Sequence, residues 1–241
     1  MGESGHFEIE HATWLHFLKA NHWLPDWMPE MVPITWLVIL ILSATVIIGT
    51  RSLKTRDPGR FQTFLEFCVS ALHGFVKGIV GEHADALTPI IGTFFILILS
   101  LNLFGLVPGF TSPTANINTT VAFALVAFLV VQGFSIRRMG VISYTKHFLG
   151  DPIWLAPLML PIHIIGEIAK PLSLSIRLFG NIFGEDMVIV ILIGIVIGVL
   201  GKFLLPFQFP MMLFAIFGSF VQALVFSMLV GIYIVAAIGE H

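Results

Sequence analysis

Apolar residues run almost unbroken through most of this chain, and the polar interruptions are few. Residues 32–50 offer 19 positions without a charge, residues 86–107 offer 22 and residues 119–136 offer 18. A bilayer core takes about 20 apolar residues of helix, so each run predicts one crossing. Two longer stretches follow. Residues 203–239 carry no charge over 37 positions, and residues 153–201 are longer still, with Lys170 and Arg177 inside them. Each can cross once as a strongly tilted helix packed against protein. The turn between them is expected near residues 201–210, where Gly201, Pro206 and Pro210 disfavour helix.

Between the first and second runs lies a segment of different character, residues 61–81. Phe61, Phe64, Leu65, Cys68, Leu72, Phe75, Val76 and Ile79 follow helical spacing on one face, with Gln62, Glu66, His73 and Lys77 on the other. That pattern predicts an amphipathic helix lying at the membrane interface, by packing on the membrane surface or against a partner subunit. The fold expected is therefore an all-α membrane protein: about five transmembrane helices, the last two a long tilted hairpin, plus one interfacial helix.

Composition agrees. The 241 residues are 57% hydrophobic and 11% charged, with a mean hydropathy of +0.97, whereas soluble domains carry about 25% charged residues. The net charge of −2 matters less than where the charges sit. Arg51, Lys54, Arg56 and Arg60 follow the first span, and Arg137, Arg138 and Lys146 follow the third, together seven of the 12 Lys and Arg residues. The loop over residues 108–118 has none. Basic loops stay cytoplasmic, so the N-terminus is expected outside and the C-terminus inside, as an odd number of crossings also requires. Residues 1–31 read as an outside N-terminal tail and not as a signal peptide, and residues 32–241 as the membrane domain. Four histidines in the tail (His6, His11, His16, His22) suggest a metal site, but a solvated, partly interfacial tail is the simpler account. The single cysteine, Cys68, excludes an internal disulfide and a cysteine metal site. No cofactor and no nucleic-acid partner are expected.

The polar groups inside the apolar runs carry the chemistry. Arg177 keeps its proton at any working pH, and in mid-bilayer it costs at least about 2.5–3.5 kcal/mol, so it is expected to face protein or water and to have a task. At about 100° per residue, Ser173, Asn181 and Gly184 share its face and Lys170 lies along the same stripe. Glu185 and Glu167 fall to one side, and Asp186 roughly opposite. Small residues (Gly180, Gly184, Ser173, Ser175) let another helix pass close. In the last arm Gln222 lies in an apolar middle and needs a hydrogen-bond partner. Arg177 could instead close a buried salt bridge with Glu185 or Glu167. Gln222, Asn181 and Asn102 could be interhelical glue, and His163 a satisfied polar residue.

The run KPLSLSIRLFGN, with an acidic residue nine positions after its Arg, resembles the signature of subunit a of the rotary, F-type ATP synthases. Asn116-Ile-Asn118-Thr-Thr resembles that family's outside loop, and Ser135-Ile-Arg-Arg with Tyr144-Thr-Lys the following inside loop. Gln222 and Tyr233 stand at the family's eleven-residue offset. The similarity extends over residues 32–241. It implies a stator subunit with no catalysis of its own, whose tilted hairpin wraps a ring of c subunits and contacts the peripheral-stalk b subunits, in a bacterial plasma membrane. Protons would pass through two offset half-channels to and from the ring carboxylates, with Arg177 as the essential cation. Asn181, Gln222, Glu185 and Asp186 would neighbour it, with Ser173, Glu167, His163, Asn102 and Tyr233 as further candidates. Two departures matter. The order here is Glu185-Asp186, where the family usually ends on Glu. Motif position then favours Asp186 as the titrating group, while the helical face favours Glu185. Some members also carry a His seven positions before the Gln, and this chain has Ala215.

A rival from another class is a secondary transporter that binds an anionic solute through Arg177. Such folds show internal repeats with broken helices in matching positions, and none is found. An intramembrane hydrolase would need a nucleophile and base pair, which is also missing.

Overall fold

The computed structural model describes residues 29, 31–51, 54, 59–107, 110–140, 144, 155–200 and 205–239. The tail with its four histidines, Lys146 and residues 201–204 lie outside them. Six α-helices are seen among the described residues: α1 (Met31–Thr50), α2 (Arg60–Val80), α3 (Ala84–Phe104), α4 (Ile117–Met139), α5 (Ala156–Leu200) and α6 (Leu205–Gly239). Each falls within three residues of the expected run. Four segments are long and apolar enough to cross a membrane: Met31–Thr50, Arg60–Phe104, Ile117–Arg138 and Phe209–Ala236. The 45-residue α5 has the length as well.

One expectation needs correcting. Pro206 and Pro210 belong to α6 and do not mark a turn. Pro206 is the second residue of that helix, where its missing N–H would have had no intrahelical acceptor, and Pro210 lies one turn further in. Pro161 and Pro171 likewise sit inside α5, as transmembrane helices allow when neighbours satisfy the freed carbonyls.

Local chemistry explains the other ends. Gly81 takes φ +60° after α2, a conformation that suits a residue without a Cβ, and a 3-10 turn over Gly81–His83 then leads into α3. Asn116 is extended and its side chain accepts from the Asn118 backbone N–H at 2.9 Å, the arrangement of an N-cap. The Asn-Ile-Asn run thus starts α4.

The helix α2 crosses one end of the bundle. Its start meets Gly49 at the end of α1, Leu72 packs on Gly92 early in α3, and Val80 and Ile79 lie beside Gly231 in the last third of α6. His73 Nδ1 is 3.0 Å from Thr88 Oγ1, so the polar face engages α3 as well.

The core joins α3, α4, α5 and α6. Leu87, Ile91, Phe94 and Ile98 face Ala223, Phe226, Val230 and Ile234, with Ala124, Ala127 and Val131 of α4 and Leu174, Leu178 and Ile182 of α5 completing it. The rings of Phe94 and Phe226 are 5.7 Å apart. Within lipid, close packing replaces water exclusion as the driving force, and the buried alanines let the helices approach. α1 stands apart, attached through Ile34 and Val38 to Leu101.

Candidate functional site

Among the described side chains of α5 the buried ones are Leu174, Ser175, Leu178 and Ile182, which turns the opposite face outward. Ser173, Arg177, Gly180 and Asn181 are exposed on that face, and Gly184 is half-buried. A Cβ at Gly180 or Gly184 would meet nothing within 4 Å, so none of the described residues of this chain covers the stripe there. Ser175 faces the bundle and lets α4 pass close, its Oγ 3.4 Å from Thr120 Oγ1, while Ser173, Gly180 and Gly184 lie on the open side.

Arg177 has no hydrogen-bond or ion-pair partner among the described residues. The salt bridge that spacing allowed with Glu167 is taken by Lys170, whose Nζ donates to Glu167 Oε1. Lys170 therefore leaves the Arg177 stripe. It turns back toward its own helix and sits 5.6 Å over the Tyr233 ring of α6, a cation–π geometry. Gln132 Nε2 of α4 donates to Glu167 Oε2 at 2.6 Å, and Tyr144 OH donates to Gln132 Oε1 at 2.5 Å. Burial raises the Tyr144 phenol above its ordinary value, and the Glu167 charge adds to the shift. Glu167, Lys170 and Tyr233 thus form one cluster, with His163 one turn earlier on α5.

A second cluster lies beyond Arg177 in the other direction. Asn181 Nδ2 donates to Gln222 Oε1 at 2.6 Å, which supplies the partner Gln222 needed. Gln222 is 3% exposed, and its Nε2 has no partner among the described residues. Asn181, Gly184 and Glu185 line an open pocket of about 400 Å³ with Gly180, Phe214 and Ala215. Glu185 reaches from α5 onto the backbone of α6 at Gly218. Asp186 is half-buried. Asn102 belongs to a third group near the α3–α4 connection: Thr114 Oγ1 donates to Asn102 Oδ1 at 2.5 Å and is 2.7 Å from Ser112 Oγ. The Nδ2 of Asn102 is buried and, among the described residues, unpartnered.

Along α5, Arg177 is about 15 Å from Glu167, about 6 Å from Asn181 and about 12 Å from Glu185. One polar cluster thus stands on each side of the Arg177 guanidinium, which is unpartnered among the described residues. Gln132 and Gly218 are additions that sequence reasoning missed. Gln132 was signalled as Gln222 was, by a lone amide in an apolar run.

The chain matches the family described as ATP synthase A chain over residues 32–235. It is 44% identical over 229 residues to ATP synthase subunit a 3 of Pelobacter propionicus, covering 94% of this chain and 96% of that one. Against ATP synthase subunit a of Trichlorobacter lovleyi it is 42% identical over 236 residues, 96% and 99% of the two chains. Against that of Geotalea daltonii it is 42% identical over 211 residues, 88% of each. This multi-pass membrane chain, with its Arg177 stripe, belongs to the ATP synthase A chain family, the a subunits of ATP synthases.

Proposed function

We propose that this chain is the stator subunit of a rotary ATP synthase and conducts protons to and from the carboxylates of a c-subunit ring, without catalysis of its own. The observation that carries this reading is the exposed Arg177, unpartnered among the described residues, on a stripe of small and polar residues, with a polar cluster on each side of it. A ring carboxylate must be neutral against lipid, because an isolated charge there is costly. It must ionise to exchange its proton. A guanidinium opposite it favours the ionised form by Coulomb attraction in a low dielectric. Because Arg177 cannot give up its own proton, it drives the proton off each arriving ring carboxyl without relaying that proton itself, and so separates the two half-channels.

The roles follow the clusters. Asn181, Gln222 and Glu185 border one half-channel beside Arg177, with Asp186 next to them and Asn102 with Thr114 further out. Glu167, Lys170, Tyr233 and Gln132 border the other, with His163 beyond. Between the two acidic candidates, Glu185 is favoured, because it lines the pocket that also holds Asn181. The basic loops after α1 and α4 support an orientation with the N-terminus outside a bacterial plasma membrane and the C-terminus in the cytoplasm. Ser173 and the open glycines face the c-ring, and the exposed flank of α1 remains for lipid or the b subunits.

The test is ATP-driven acidification of inverted membrane vesicles. Arg177→Ala and Arg177→Lys are both expected to abolish it while the complex still assembles, since an ammonium neither matches the fork nor holds its charge as firmly in low dielectric. Pumping at the wild-type rate by Arg177→Lys, or purification without a ring of small subunits, would overturn the assignment.

A further inference from the structure

Gly218 of α6 stands where the Glu185 carboxylate lies. A Cβ on residue 218 would overlap Glu185 Oε1 and fall 2.8 Å from Cδ and 3.2 Å from Oε2. The carboxylate therefore occupies the volume that any side chain at 218 would take, pressed onto the backbone of the neighbouring helix. Other glycines of the hairpin are used differently. Gly231 makes room for the tip of Ile91, which would lie 3.1 Å from a Cβ added there, and Gly180 and Gly184 face open space.

We infer that Gly218 is a positioning residue: its missing side chain sets where the Glu185 carboxylate stands relative to Asn181 and the open pocket. The inference rests on the reading that Glu185 borders the ion path. What a methyl at 218 would meet is the far end of a flexible side chain, so the carboxylate swings away and α5 and α6 keep their packing. Assembly should survive while the carboxylate moves by more than an ångström. A shorter acid reverses the effect. Glu185→Asp withdraws the carboxylate by one methylene, about 1.5 Å, and clears the space that an alanine at 218 needs.

The experiment compares ATP-driven acidification in inverted vesicles carrying Gly218→Ala, Glu185→Asp, both together, and Gly218→Ala with Glu185→Gln, each normalised to assembled complex. Gly218→Ala is expected to lower pumping about tenfold or more, in line with the cost of misplacing a functional group by about 1 Å. Adding Glu185→Asp should recover at least about threefold of that loss, and adding Glu185→Gln should recover nothing. Wild-type pumping by Gly218→Ala, a loss that Glu185→Asp does not relieve, or failure of Gly218→Ala to assemble would each overturn the inference. Arg177→Ala in the same vesicles separates the two levels. Pumping that survives it overturns the proposed function. Pumping that it abolishes but Gly218→Ala leaves intact overturns the positioning role alone.

Discussion

Replacing Gln222 by Leu separates conduction from adhesion. Gln222 is nearly fully buried at 3% exposure, accepts one hydrogen bond from Asn181 at 2.6 Å, and has a buried Nε2 that is unpartnered among the described residues. Leucine has nearly the same volume, so the cavity term is small. The interhelical hydrogen bond lost is worth about 0.6 kcal/mol on average and about 1.7 kcal/mol at most. Removing a buried, unsatisfied N–H returns about 1–3 kcal/mol. Asn181 is exposed, so its freed amide turns outward at little cost. The balance lies between a loss of about 0.7 and a gain of about 2.4 kcal/mol. Gln222→Leu should therefore leave the complex about as stable as the wild type, or slightly more so, while ATP-driven pumping falls. The assay pairs the thermal dissociation midpoint of the purified complex with acidification rates in vesicles. A stability loss above about 2 kcal/mol with pumping per complex unchanged would refute the reasoning and make Gln222 interhelical glue.

Once Cys68 is replaced, Ser173→Cys should crosslink to cysteines beside the ring carboxylate, and a cysteine at Phe179 should not; efficient crosslinking only from Phe179 would mean that α5 is turned the other way. Gly105→Ala should destabilise by about 1–3 kcal/mol, because its Cβ would lie 2.7 Å from the Ser112 backbone Cα, and backbone, unlike a side-chain tip, cannot swing aside; an unchanged dissociation midpoint would contradict this. Tyr144 holds its proton more tightly in the folded chain than its ordinary value allows. Its contribution is therefore fully present below that value, near pH 10, and is lost as pH rises through the higher folded one. Tyr144→Phe should flatten the alkaline decline in thermal stability, and an identical decline in both proteins would dismiss the shift.

The helices were legible because a bilayer demands long apolar runs and because charges gather in the loops after the first and third of them. Even the placement of Gln222 followed from the cost of an unbonded amide. The side-chain geometry was harder to read. Lys170 lies only about 20° from Arg177 on an ideal helical wheel, yet its long side chain folds back three residues to Glu167. Backbone angle says where a side chain starts and leaves its end free. Ser175 illustrates the reverse: its small size suggests a contact surface, whereas its burial against Thr120 decides its role. Pro206 and Pro210 signal a break by their common effect on helices, and only their position in the first turns of α6 removes it. The seat of Glu185 on Gly218 joins two helices at positions 33 residues apart in the chain, and no local pattern carries it.

The length of α5 changes what sequence spacing means. Its 45 residues make a rod about 67 Å long; held wholly within a hydrocarbon layer about 30 Å thick, such a rod would lean about 63° from the membrane normal. Each residue would then climb only about 0.7 Å in depth and travel about 1.3 Å sideways. Glu167 and Asn181, about 21 Å apart along the axis, would differ in depth by only about 9 Å but be separated in the plane by about 19 Å. On an upright helix the same spacing would stack the two polar clusters one above the other, as a single straight pore. On a helix that leans this far they would stand side by side, so that under the proposed function a proton entering beside one cluster would reach the other only by being carried laterally, and the lean of a single helix would turn a voltage across the membrane into a displacement along it.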